Sequence, residues 1–145
     1  MIKVGTVVHG IVDYVRRKQL MDHHTSVHIV GGAARKILGP HVYQAGSNVS
    51  EEYGRLDITH YERLTREDLD EIESIANEVL QQVDSTKKSE LDRRDADIIY
   101  GFDLYQGGAP KTKNIRILEI GTHDTQACGG THHDVPGKIG QNKAY

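Results

Sequence analysis

The sequence predicts an α+β domain in which helices pack on a mostly antiparallel sheet. Apolar residues recur at helical spacing in two long runs, 24–38 and 65–82, while 55–61 alternates and 115–120 runs apolar in the manner of strands. These segments interleave without the strand–helix–strand rhythm that a parallel sheet requires. A chain of 145 residues has room for one domain with a real core and little for a second, so 1–145 is expected to be a single domain.

The Val-rich stretch from Ile2 to Ile11, interrupted by Gly5 and Gly10, predicts a short strand that enters the domain and turns. Asp13 is a candidate cap for a helical turn over 14–21, which carries the basic cluster Arg16, Arg17 and Lys18. Such a cluster is by default a solvated face, with a nucleic-acid contact as the alternative. From His24 to Leu38 the residues Val27, Ile29, Val30, Ala33, Ala34, Ile37 and Leu38 follow one helical stripe, and Gly39-Pro40 stops it.

Val42 to Gly46 and Gly54 to Tyr61 read as strands. In the second, Leu56, Ile58 and His60 face one way to pack on a helix, and Arg55, Asp57, Thr59 and Tyr61 face a cleft. Thr65, with Asp68 in the first turn, caps an amphipathic helix that runs through Leu69, Ile72, Ile75, Ala76, Val79 and Leu80 to about Gln82. The polar stretch 84–90 approaches another strand, and a short helix follows from Asp92 to about Tyr100, where Gly101 ends it. Gly107-Gly108-Ala109-Pro110 is a turn, and Ile115 to Ile120 is a strand that leads into 124–132.

Eighteen basic against 21 acidic residues give a formal charge of −3, so bulk charge does not mark a nucleic-acid binder and any such surface must be local. No apolar run reaches membrane-spanning length, the start is not that of a signal peptide, and there is one cysteine. A cytoplasmic protein with no membrane association is expected.

Two motifs carry chemistry. In His24-Thr25-Ser26-Val27-His28 the two imidazoles are four residues apart, one helical turn, and can grip one ion. In Cys128-Gly129-Gly130-Thr131-His132 the glycines disfavour a helix and favour a tight loop whose backbone approaches a ligand closely. Three imidazoles and a thiolate suit a borderline-soft tetrahedral ion, and Zn2+ is the expected cofactor. A lone cysteine is otherwise most often a small buried hydrophobe, and an isolated His pair is often satisfied by hydrogen bonds.

Both motifs resemble those of the editing domain of alanyl-tRNA synthetases, shared with free-standing AlaX proteins and related to an editing domain of threonyl-tRNA synthetases. The likeness extends through Arg16-Arg17, 33–39, 41–46, 55–61, 105–108 and 137–140, and thus covers nearly the whole chain. The wording of 56–61 and 105–108 is most like the archaeal enzymes. The resemblance implies the common editing fold of the threonyl- and alanyl-tRNA synthetases, and an aminoacyl-tRNA deacylase. Its substrate would be the acceptor end of tRNA(Ala) carrying serine or glycine. A pocket built for alanine cannot exclude glycine by size and rejects serine only weakly, so a second site must remove these errors.

Carried over to this chain, His24, His28, Cys128 and His132 match the zinc ligands, and Thr25 and Gln44 match pocket positions near the aminoacyl group. Arg55, Asp57, Gly107 and Gly108 are the further candidates for substrate contact. Taken alone, Thr25 would be a helix cap, Gln44 a surface residue, Arg55 with Asp57 a cross-strand ion pair and Gly107-Gly108 a loop. Attack on the ester would be supported by a zinc-bound water or by the metal as Lewis acid; if all four side chains bind at once, the metal instead organises the pocket.

The chain departs from the family pattern at His133 and Asp134-Val135-Pro136, so His133 is a competing ligand candidate. It is also expected to be truncated at its C-terminus relative to the family and to lack the preceding barrel-like subdomain, the remainder of a synthetase being a partner. The alternative to an enzyme is a zinc-stabilised tRNA-binding or structural module. The sequence leaves the oligomeric state open.

Overall fold

The computed structural model describes residues 2–145. Its central element is α1, a 25-residue helix from Tyr14 to Leu38. The Asp13 carboxylate accepts from the Arg16 N–H at 3.1 Å at its start, and the Gly39 N–H donates to the Arg35 carbonyl at its end. The turn expected over 14–21 and the helix expected from His24 are one continuous element, because nothing between Met21 and His24 breaks a helix. Arg16 pairs with Glu51 at 2.6 Å and Lys18 with Asp22 at 2.6 Å, so these two members of the basic cluster serve as ion-paired surface groups.

The inner stripe of α1, with Ile29, Ala33 and Ala34, packs on Ile72, Ala76, Val79 and Leu80 of α2 (Arg66–Gln82). A capping box starts α2: Thr65 Oγ1 accepts from the Asp68 N–H at 3.1 Å and the Asp68 carboxylate accepts from the Thr65 N–H at 2.8 Å. Sequence and structure agree most closely here, because both the cap and the stripe are local signals.

The sheet expected as one is two small antiparallel sheets. A hairpin pairs β1 (Gln44–Val49) with β2 (Gly54–Ile58) and shifts register between Gln44 and Gly46. Strand β1 sits later than its spacing predicts and β2 ends earlier, because the register shift at Gln44–Gly46 interrupts the regular ladder. Beyond it the contact continues irregularly, with the Thr59 N–H donating to the Tyr43 carbonyl at 2.9 Å and the Thr59 hydroxyl to the His41 carbonyl at 2.7 Å. The second sheet has the order β3-β4-β5, formed by Thr86–Asp92, Asn114–Ile120 and Asp124–Ala127.

Strand β4 is covered on both faces, which explains its unbroken apolar run. Ile115 and Ile117 join Ala96, Leu104 and Tyr105 in one cluster, whereas Leu118 and Ile120 join the α1–α2 core. Helix α3 (Arg93–Tyr100) and a 3-10 turn at Phe102–Leu104 close the first of these. Strand β5 falls inside the segment expected only to deliver the second motif.

The strand expected from Ile2 to Ile11 does not form among the described residues. Val4, Val7, Val8 and Ile11 are exposed and the segment meets no ladder partner; a turn bond joins the Thr6 N–H to the Lys3 carbonyl at 3.0 Å. A Val-rich run is strand-like only where an edge receives it.

Candidate metal centre

The two motifs meet. One turn of α1 supplies His24 and His28, and the loop after β5 supplies Cys128 and His132, with all four ligand atoms within 4.8 Å of one another. Cys128 Sγ lies 3.5 Å from His24 Nε2 and 3.2 Å from His132 Nε2. Ring centroids are 4.2 Å apart for His24 and His132, 4.9 Å for His28 and His132, and 5.1 Å for His24 and His28.

Burial fixes the electrostatics. Desolvation pushes His28 down to about 4, helped by the neighbouring His24, and pushes His132 to about 2 with His28 and His24 adding to the effect. His24 is lowered by the same cause, so the imidazoles are neutral and their lone pairs available near pH 7. Burial raises the Cys128 thiol, against the pull of the Gly130 backbone and Arg116, so thiolate ligation releases a proton when an ion binds.

Two further observations fit a cation. His132 Nδ1 is buried with no hydrogen-bond partner. A Cβ on Gly130 would overlap the His24 imidazole, so the loop backbone reaches this ring as only glycine can. The cluster can hold a metal ion.

The loop is held by side chains from elsewhere in the sheet. The Cys128 N–H donates to the Arg116 carbonyl at 3.0 Å, extending the β4–β5 ladder by one bond. The Arg116 guanidinium donates back to the carbonyls of Gly129 at 3.2 Å and Gly130 at 2.8 Å. Lys88 on β3 donates to the His132 carbonyl at 3.0 Å and pairs with Asp134. On the other side His28 Nδ1 lies 2.8 Å from Gln126 Oε1.

Thr25 is fully buried beside the cluster. Its hydroxyl donates to the Met21 carbonyl at 2.8 Å and accepts from the His133 N–H at 3.0 Å, so it sits mid-helix and joins α1 to the loop instead of capping a helix. His133, a candidate competing ligand, turns away: its Nε2 lies 2.9 Å from Asp22 Oδ1, outside the cluster.

Gln44 and Gln126 line one narrow crevice at the start of β1, and Gln126 is the residue that also bonds His28. Gly107 abuts this position with φ +76°, where an added Cβ would lie 2.8 Å from Gln44 Nε2. Gly108 has open space around it. Arg55 and Asp57 pair with each other at 3.2 Å along the exposed face of β2, so their ion pair is within one strand and not across two. Arg55 also borders a separate cleft of about 680 Å3 between α1, β2, α2 and the C-terminal residues, which none of the four ligands lines.

Sequence reasoning did not single out Arg116, Lys88 or Gln126. Gln126 carried a signal, since it shares strand parity with Cys128 two residues away; Lys88 and Arg116 carried none, because their targets are backbone carbonyls brought near only by the fold.

Fold and site together define an α+β domain with a three-histidine, one-cysteine centre assembled from a helix and a loop. No family model matches the chain. The chain is 49% identical over 143 residues to an alanine–tRNA ligase of Pyrococcus furiosus, 99% of this chain and 16% of that protein. It is 47% identical over 141 residues to an alanine–tRNA ligase of Methanococcus maripaludis, 97% of this chain and 16% of that protein. The corresponding enzyme of Haloquadratum walsbyi is 49% identical over 139 residues, 96% of this chain and 15% of that protein. The chain is thus a homologue of one segment of the archaeal alanine–tRNA ligases, as its motifs implied, and spans about 16% of the length of such relatives. Among the described residues no helix is long and apolar enough to cross a membrane.

Proposed function

We propose that this chain is an aminoacyl-tRNA editing domain that hydrolyses the ester of mischarged tRNA(Ala), with serine or glycine as the wrong amino acid and Zn2+ as the cofactor. The observation that carries the reading is the convergence of His24, His28, Cys128 and His132 in a segment homologous to alanine–tRNA ligases. A bound zinc would supply Lewis acidity toward the ester or order the pocket around it. The chain's own residues do the rest. The buried imidazoles stay neutral, and the loop held by Arg116 and Lys88 keeps Cys128 and His132 in place. Thr25 stands against the loop and would face the aminoacyl group, Gln44 borders the crevice next to Gln126, and Gly107, which abuts Gln44, and Gly108 would offer backbone to the acceptor end. Arg55 and Asp57 offer polar contacts farther out, on β2. The domain would work in the cytoplasm, within or alongside the remainder of a synthetase.

The test is release of serine from preformed Ser-tRNA(Ala), beside Ala-tRNA(Ala), by wild type and Cys128→Ala. Selective release that the variant loses supports the reading; no release from folded, zinc-loaded protein overturns it for this chain. A second reading, a zinc-stabilised tRNA-binding module, is favoured by one observation: four candidate ligands converge, the number that a closed structural zinc site uses. Under it, chelation lowers the melting temperature sharply; an unchanged melt with lost hydrolysis excludes it.

A further inference from the structure

Beside the centre runs a chain of buried polar groups with a fixed direction. Gln126 Nε2 donates to Asp124 Oδ2 at 2.7 Å, and Gln126 Oε1 lies 2.8 Å from His28 Nδ1. Gln126 is 4% exposed and Asp124 7%, so water does not compete for either. Arg35 closes the chain: its guanidinium lies 3.7 Å from Asp124 Oδ1, and its Nε donates to the Val42 carbonyl at 3.1 Å.

The direction follows from the carboxylate. Ionised Asp124 only accepts, so Gln126 must turn its NH2 to Asp124 and its carbonyl to His28. A carbonyl only accepts, so His28 must carry its proton on Nδ1, and its Nε2 lone pair is left free. Burial raises Asp124 to about 7, with Arg35 and the Gln126 bond opposing, so the ionised form holds above that pH.

We infer that Gln126 is a positioning residue, oriented by Asp124 and Arg35, that sets the tautomer of His28 so that Nε2 faces the metal. This inference rests on the metal-centre reading. An imidazole with the proton on Nε2 would present no lone pair to the ion and would have to exchange tautomers before ligation. Asp124 and Gln126 occupy alternate positions on β5 and share the inward face that ends at Cys128, so one strand both delivers a ligand and orients another.

The experiment is long-range 15N–1H NMR of the imidazoles in the metal-free full chain at pH 8, for wild type, Gln126→Leu and Asp124→Asn. Zn2+ affinity is measured on the same samples by competition with a chelating dye. Wild type is expected to show His28 with the proton on Nδ1. Gln126→Leu, folded by circular dichroism, is expected to move the proton toward Nε2 and to weaken Zn2+ binding about ten- to a hundredfold. Asp124→Asn frees the amide to flip and is expected to give a mixture of tautomers with a smaller loss. An unchanged Nδ1–H signal in both folded variants, with affinity within about twofold of wild type, overturns the inference. A tautomer change in the variants, together with no Zn2+ binding by wild type, supports the tautomer relay and overturns the metal reading alone.

Discussion

The two halves of the centre are held by different means. His24 and His28 belong to a 25-residue helix whose backbone bonds fix their spacing whatever lies around them. Cys128 and His132 lie in a loop without regular structure, and their positions depend on Arg116, Lys88 and Thr25, contributed by β4, β3 and α1. A helical ligand pair therefore needs only local sequence, whereas the loop pair needs the whole domain. Substitutions on the loop side should damage ligation more than substitutions of comparable size on the helix side.

The strongest test of that asymmetry is Gly130→Ala. Its Cβ would overlap the His24 imidazole, which can escape only by swinging out of the cluster. Zn2+ affinity measured by dye competition should fall by at least about a hundredfold with helix content unchanged, while Ser26→Ala, between the two helical ligands, should leave it within about twofold. Equal effects from the two would break the comparison.

Acid acts on both halves through the same groups. An unfolded imidazole takes up a proton near 6.5, but His28 does so near 4 in the fold, so between these values the unfolded state binds more protons and stability falls as pH falls. In metal-free protein His28 alone should contribute about 3 kcal/mol of loss on going from pH 7 to below 4, read from urea midpoints. Saturating Zn2+ should shift that loss to lower pH.

Next in size, Arg116→Ala should release the Gly129 and Gly130 carbonyls and weaken Zn2+ binding by about tenfold with little change in thermal stability. Arg116→Lys should recover only part of it, because a single ammonium cannot reproduce the fork that reaches two carbonyls. An effect of similar size, read as stability, is expected of Thr25→Val. This variant strands the His133 N–H and should cost about 1–3 kcal/mol in denaturant unfolding, sharpening how much of the loop's order comes from the helix.

The legible parts were those with local causes. The Thr65 cap and the α2 stripe, the His24–His28 pair and the apolar run of β4 all follow from spacing within a few residues. What escaped had remote causes. The N-terminal Val-rich stretch has strand composition but no edge to join, and β5 is too short and polar to announce itself next to a glycine loop. The regular ladder of the hairpin ended early because a register shift at Gln44–Gly46, set by how the two strands meet, left Thr59 to bond Tyr43 outside it.

By itself the sequence determined the candidate ligand set, three imidazoles and one thiol, the helical spacing of the first pair and the glycines that let a backbone come close. Only the tertiary structure decided that the two motifs, a hundred residues apart, share one cluster, that His133 stands outside it, and that Gln126, Arg116 and Lys88 hold its parts in place. The physical reason is range: helix and turn preferences act between near neighbours, whereas hydrogen bonds to backbone carbonyls and burial depend on which distant segments the core brings together.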